Sequence, residues 1–226
     1  MPVIRYPQFC ALARAAELLG ERWTLLIIRE LLLGPKRFTD LRARLDGVST
    51  SVLSERLAHL QDAGLIRRTF LKPPAASTVY ELTEDGQALK PAMFELIRWG
   101  GRYLMPQRTG ERVEPDWMRL AMAAYVPKGP TPERSFNIHM PADGSEAVIH
   151  VRGGPDGTTI AAGSASADVD FTADFPTVLG LTVGLIDPSD ALASGMIQAD
   201  GDVAALAEFP QLFETPARRR RDDVKP

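Results

Sequence analysis

With one cysteine, Cys10, in 226 residues, the chain has no partner for an internal disulfide. That excludes the disulfide-stapled secreted scaffolds and suits a reducing compartment. Histidine is nearly as scarce. His59, His139 and His150 are scattered, with no pair at metal-ligand spacing on one helix, so no metal site is expected. Long apolar runs are missing too. The longest stretch, Trp23 to Leu33, is interrupted by Arg29 and Glu30 and falls short of the roughly 18 residues that span a bilayer. The start, Met1-Pro2-Val3-Ile4-Arg5-Tyr6, lacks the apolar run of a signal peptide. The expectation is a cytoplasmic protein with no membrane insertion. Catalytic patterns are equally sparse. The carboxylate pairs Asp168/Asp170, Asp187/Asp190 and Asp200/Asp202 fall at turn-like positions, and no nucleophile stands beside a base. Gly153-Gly154-Pro155-Asp156-Gly157 lacks the spacing of a nucleotide loop. Neither an enzyme nor a cofactor is expected.

What the chain does have is an uneven charge distribution. Residues 1–110 carry 16 Lys and Arg against 11 Asp and Glu, whereas residues 111–226 carry 10 against 18. A basic half joined to an acidic half implies that only the first meets a polyanion. Composition shifts at Pro106-Gln107-Arg108-Thr109-Gly110-Glu111. The expected organisation is a domain over 1–106, a linker over 107–114, a second domain over 115–214 and a disordered tail over 215–226 that includes the run Arg218 to Arg221.

The most informative stretch runs from Leu41 to Tyr80. Helices are expected over Cys10 to Leu19 and Glu21 to Leu33, the second ended by Gly34-Pro35. Phe38-Thr39-Asp40 enters a short helix closed by Leu41 to Leu45, and Asp46-Gly47-Val48 turns the chain. Ser49 caps a second helix whose Leu53, Leu57 and Leu60 share one face, and Gly64 stops it. Leu65 to Leu71 and Thr78 to Leu82 read as two strands around Lys72-Pro73-Pro74. A helix-turn-helix followed by a hairpin is a winged helix, whose second helix is shaped for a DNA major groove. A further helix is expected from Gln87 to about Leu104.

The helical wheel leaves Ser51, Ser54, Glu55, Ala58, His59 and Asp62 opposite the leucines. Near the helix start, Ser49, Thr50, Ser51, Ser54 and Glu55 are placed to reach base edges; hydroxyls pair with several base atoms and a carboxylate accepts from cytosine. Phosphate contacts are expected from Lys36, Arg37, Arg42 and Arg44 and from Arg67, Arg68 and Lys72 on the wing. Arg67 and Arg68 point to opposite sides of a strand, so one of the two should touch DNA. Arg56, at the edge of the apolar face, either reaches a phosphate or pairs internally.

Cys10, Leu19-Gly20-Glu21-Arg22-Trp23-Thr24-Leu25-Leu26-Ile27-Ile28-Arg29-Glu30-Leu31, Gly34-Pro35-Lys36-Arg37-Phe38, Val52-Leu53-Ser54-Glu55-Arg56-Leu57, Gly64-Leu65-Ile66, Tyr80-Glu81-Leu82-Thr83 and Trp99-Gly100 stand in this order along the chain. Together they resemble the HxlR-type regulators. The resemblance covers about Cys10 to Tyr103. It implies a bacterial winged-helix regulator, more often a repressor, that binds double-stranded operator DNA as a homodimer through its N-terminal helix and the long helix after the wing. Ser51, Glu55 and Ala58 depart from the basic or amide residues frequent in that family, so no operator sequence is carried over. Some members sense oxidants through a cysteine at the position of Cys10. Here Arg14, one turn on, is the only cation placed to favour a thiolate, and a small packing residue is the alternative.

Beyond residue 111 the pattern changes to a helix over Asp116 to Tyr125 and alternating strands at Phe136 to Met140, Ala147 to Val151 and Val169 to Thr172. Apolar helices follow over Phe175 to Ile186 and Val203 to Phe213. The fold class is α+β. Ala167 to Thr172, Gly184 to Pro188, Ala193 to Ile197 and Asp200-Gly201-Asp202, closed by Leu206 to Phe213, resemble the sterol carrier protein type 2 fold over about residues 115–214. That resemblance implies a cavity for a lipid-like or other small hydrophobic ligand. Phe171, Phe175, Leu179, Val183 and Met196 are the pocket candidates, and an ordinary core needs the same residues.

Overall fold

The computed structural model describes residues 5–74, 76–142 and 145–214. The first four residues and the arginine run at 218–221 lie outside them. The chain packs as two compact units, residues 1–93 and 94–226.

In the first unit, α1 (Ala11–Leu19) and α2 (Thr24–Leu32) precede α3 (Phe38–Arg44), α4 (Thr50–Asp62) and a hairpin of β1 (Ile66–Leu71) and β2 (Ser77–Leu82). This is the winged helix-turn-helix anticipated from the spacing. Ile27, Ile28, Leu31, Leu41, Leu53, Leu57 and Leu60 form its buried centre. Each leucine that α4 buries contributes about 1.5–3 kcal/mol. The hairpin is antiparallel with Ile66 opposite Leu82 and Leu71 opposite Ser77. Lys36 adds an isolated backbone bridge to Tyr80 of β2, donating at 3.0 Å and accepting at 2.8 Å.

Two helix boundaries differ from the periodicity. α2 starts at Thr24, not Glu21, because Trp23 takes a left-handed φ of 79° and closes a turn in which the Thr24 N–H donates to the Glu21 carbonyl. The helix expected from Gln87 is split. α5 (Glu84–Gln87) is capped by Thr83, and α6 (Lys90–Gly100) begins one residue before Pro91, which has no N–H to continue the earlier turn. A 3₁₀ turn, Gly101–Tyr103, follows. Compactness divides the chain inside α6, whereas composition alone places the change after residue 106. The reason is local: an Arg98 guanidinium nitrogen donates to the Ala124 carbonyl at 2.6 Å, fastening the end of α6 to α7 (Pro115–Ala124).

The second unit is α+β. Its five-stranded sheet has the order β5-β4-β3-β6-β7, with β3 (Ser135–Ala142), β4 (Ser145–Arg152), β5 (Thr159–Ala162), β6 (Val169–Thr172) and β7 (Gln198–Gly201). Only β3 and β6 pair in parallel; the other neighbours are antiparallel. Phe136, Ile138, Ile149, Val151, Val169 and Phe171 on one sheet face join Met118 and Met122 of α7, α8 (Phe175–Thr182) and the 3₁₀ segment Val203–Leu212 in one core. Phe209 is its hub, edge-on to both Phe136 and Phe171. The expected helix over 175–186 stops at Thr182, and Asp187 caps a separate α9 (Pro188–Ala193). The closing segment is 3₁₀ rather than α, with Pro210 inside it. β5 and β7 had no signal to find: four residues each, mostly exposed, with no apolar alternation.

Candidate nucleic-acid interface

The geometry of α4 follows from its first residue. Ser49 is extended at φ −76°, ψ 153°, and its hydroxyl accepts from the Val52 N–H at 3.3 Å, satisfying one of the orphan donors at the helix start. The Ser51 hydroxyl lies 3.0 Å from that of Ser49. With Leu53, Leu57 and Leu60 buried, Thr50, Ser51, Ser54 and Ala58 are exposed and Glu55 half-buried. His59 is also half-buried, so the polar face is narrower than the wheel suggests. Five of the six sequence-nominated positions near the helix start, Ser49, Thr50, Ser51, Ser54 and Glu55, thus form one hydroxyl-rich, partly open surface.

Arg56, the sixth, is not on it. Its side chain is 12 % exposed and donates to the Glu21 carboxylate at 2.9 Å, tying α4 to the turn before α2. Of the two alternatives open from sequence, internal pairing is the one realised. Arg44 is diverted in the same way. It and Arg29 converge on Glu30, which is fully buried: Arg44 Nε lies 2.7 Å from one carboxylate oxygen, and Arg29 Nη2 lies 2.7 Å from the other. Periodicity placed Glu30 among apolar residues of α2 but carried no signal of this cluster. Asp40 closes the start of α3, its carboxylate accepting from the Arg37 backbone N–H at 3.1 Å, and the Arg37 side chain is exposed. Arg42 is exposed on α3, and Lys36, half-buried, is held beside the wing by its bridge to Tyr80.

The wing separates its two arginines. On one face Arg67 Nε donates to Glu81 Oε1 at 2.7 Å, and the Thr69 hydroxyl donates to the same oxygen at 2.8 Å. Those two bonds, the arginine's first, hold the Glu81 carboxyl below the usual carboxylate range. On the other face Arg68 is exposed opposite Tyr80, with Phe70 next along and Lys72 exposed beyond the strand end.

Cys10 is exposed at the N-cap of α1. Arg14, the cation nominated to assist it, instead pairs with Glu17 at 3.0 Å. Packing against α1 within the chain therefore does not bury this thiol.

The C-terminal pocket candidates are dispersed. Phe171, Leu179 and Val183 sit inside the packed core and Phe175 against it, while Met196 is 55 % exposed. Two surface hollows among the described residues have other walls. One of about 520 Å³ is lined by Arg134, Arg152, Asp168 and the 153–157 loop; one of about 350 Å³ is lined by Leu192, Ala193, Val203 and Leu206. Two histidines that look scattered in sequence meet on the polar sheet face. His139 Nε2 is 3.0 Å from Asp170 Oδ1, Asn137 Nδ2 donates to the same oxygen at 3.1 Å, and His150 Nδ1 is 2.9 Å from Asn137 Oδ1. Asn137 also exchanges bonds with the backbone of Ala165, which fixes its Oδ1 as acceptor and makes His150 Nδ1 the donor. The Asp170 bond raises the His139 pKa, and the histidine in turn lowers that of Asp170. Asp168 is no turn ornament either: it accepts from the Ser135 N–H and hydroxyl at 2.7 and 2.9 Å. Among the described residues no His, Cys, Asp and Glu grouping is arranged to hold a metal, and no helix is long and apolar enough to cross a membrane.

Comparison with known proteins bears on the N-terminal part of the chain. Residues 18–108 match the model of the HxlR-like helix-turn-helix family. The uncharacterized HTH-type transcriptional regulator YvaP of Bacillus subtilis is 36% identical over 93 residues, which is 41% of this chain and 86% of that protein. The HTH-type transcriptional regulator YodB of the same organism is 36% identical over 95 residues, 42% of this chain and 85% of YodB. The solved reduced form of YodB matches at 33% identity with a TM-score of 0.38, covering 45% of this chain and 100% of its own. In each case the match spans less than half of this chain.

Proposed function

This chain belongs, through its N-terminal part, to the HxlR-like helix-turn-helix transcriptional regulators, and we propose that it is a repressor that binds a two-fold symmetric operator as a homodimer. The observation that carries this is the surface at the start of α4, where the Ser49 cap presents Thr50, Ser51 and Ser54 beside a basic wing. Such hydroxyls read base edges weakly, so affinity comes from phosphate contacts by Lys36, Arg37, Arg42, Arg68 and Lys72. Arg56 is removed from that set. Dimerisation uses apolar side chains that the single chain leaves open: Phe9 at 108 % and Leu12 at 78 % on the α1 side, and Leu96 and Trp99 on α6 at 46 % and 57 %. Two symmetric reading helices stand about 34–36 Å apart, one turn of B-DNA.

The second unit we assign as a sterol-carrier-like module for a small hydrophobic effector. Beside the nominated core residues, the apolar-walled hollow between α9 and the 203–212 segment is a second place such an effector would fit. Effector binding regulates only if it favours one DNA-binding state over the other. A second reading is favoured by one specific observation, the exposure of Cys10: a thiol-responsive regulator in which oxidation gives a sulfenic acid, a mixed disulfide or an intersubunit bridge.

Selection from random duplex DNA with the purified full chain tests the main assignment. The expected product is a palindrome with half-sites about 10 base pairs apart, bound by two chains. Recovery of no enriched sequence, or binding of one chain per site, overturns it. Native mass spectrometry separates the effector from the thiol reading. A retained hydrophobic molecule, one per chain, supports the module. A diamide response that survives Cys10→Ser ends the redox reading.

A further inference from the structure

The two faces of the wing are chemically unlike. On the face carrying Arg67, Thr69 and Leu71, the arginine, its side chain 64 % exposed, is paired across the ribbon with Glu81 at 2.7 Å and Thr69 donates to the same carboxylate oxygen, so its charge is offset by a carboxylate on its own face. The opposite face carries Arg68 and then Phe70, whose partners across the ribbon are Tyr80 and Thr78 and include no carboxylate. Lys72, exposed, follows at the next alternate position. Phe70 is 63 % exposed, although the base of the same ribbon buries Ile66 and Leu82 almost completely. A phenyl ring between two cations, near the free end of a two-stranded ribbon, gains nothing from the protein's own core.

We propose that Arg68, Phe70 and Lys72 form the nucleic-acid face of the wing, with the Phe70 ring entering the DNA minor groove between base steps while the two cations straddle it on the phosphates. The inference rests on the DNA-binding assignment above and deepens it. The chemistry matches on both counts. A narrow minor groove concentrates negative potential that draws Arg and Lys. Apolar side chains entering that groove wedge between base steps and unstack them, each contact being repaid by added protein surface. Arg67, neutralised by Glu81, faces away and contributes no phosphate contact.

The test uses the full-length chain and a duplex recovered by selection, with 2-aminopurine placed in turn at each step flanking the half-sites. Wild-type binding is expected to raise the fluorescence at one step by unstacking it. Phe70→Ala should abolish that rise and weaken binding by about 5- to 100-fold, the range of base–aromatic contacts, while leaving the salt slope unchanged. Phe70→Leu should retain most of the affinity. Arg68→Ala should reduce the slope of log K against log salt by about one, and Arg67→Ala should leave it unchanged. Exposure of Phe70 predicts the same melting temperature for Phe70→Ala as for wild type, which separates misfolding from lost contact. If Phe70→Ala binds like wild type, or Arg67→Ala flattens the slope as much as Arg68→Ala, the proposal is overturned while the DNA-binding assignment stands. A wild-type chain that binds no duplex overturns both.

Discussion

Replacing Glu30 with alanine should strongly destabilise the N-terminal unit. The Glu30 carboxylate is fully buried, and Arg29 and Arg44 are each 20 % exposed, all within hydrogen-bond distance. Together they join α2 to α3. Removing the anion leaves two guanidinium groups crowded together without their shared acceptor. Breaking a buried pair from one side costs about 3–5 kcal/mol, against a total stability of about 5–15 kcal/mol for an ordinary domain. Native-state hydrogen exchange reads the effect locally. Amides of α2 and α4 that exchange only through unfolding of this unit should speed up by about 100- to 5,000-fold, taking 1.4 kcal/mol per factor of ten. Amides of β3 and β4 report on the other unit and serve as the internal control. A double replacement, Glu30→Met with Arg44→Met, should recover much of the loss, because apolar side chains of similar length carry no desolvation penalty. Protection in Glu30→Ala within a factor of about two of wild type would refute the reasoning, since it would mean that the two arginines find water as readily as they found the carboxylate.

Three further outcomes are expected. Arg56→Ala should cost about 1.5–3 kcal/mol through its lost bond to Glu21 and leave the salt slope of DNA binding untouched, whereas Lys72→Ala should lower that slope by about one with no change in melting; the opposite assignment of effects would return Arg56 to the phosphate contacts. Ser49→Ala should destabilise by about 1 kcal/mol, seen as a lower denaturant midpoint at constant m-value, and Ser49→Asp should restore it. Stability of the C-terminal unit should depend on pH with a defined sign. The His139 pKa is raised above its ordinary 6.5 by Asp170 and Glu146, so its contribution is complete below pH 6.5 and is lost as pH rises through the folded value. The Asp170 pKa is lowered from 3.8, so its contribution is present above that and is lost as pH falls through the folded value. Melting monitored by circular dichroism should therefore be most favourable between about pH 4 and 6.5, and His139→Gln should flatten the alkaline limb; an unchanged limb in that variant would show that His139 carries none of the dependence.

Much of the N-terminal unit was legible because its signals are local. Ser49, Gly64 and Gly34-Pro35 punctuate the chain at the points where backbone geometry demands it, and Leu53, Leu57 and Leu60 repeat at the spacing of one helix face. The α+β class of the second unit was legible from β3, β4 and β6, which alternate, but not β5 and β7, whose four-residue edges bury almost nothing. An apolar side chain that lines a cavity and one that fills a core have the same sequence signature, and the contact of Phe209 with Phe171, 38 residues apart in the chain, has no local signal.

Charged residues divide in the same way. The sequence by itself determined that Arg44, Arg56, Arg67 and Arg68 are cations near a helix-turn-helix, and that Arg67 and Arg68 point apart on a strand. Only the tertiary structure decided which of them meet a carboxylate. Glu21, Glu30 and Glu81 stand 35, 14 and 14 residues from the arginines they engage. Local periodicity places a side chain on a face of its own element; the partner that neutralises it is supplied by whichever element packs against that face.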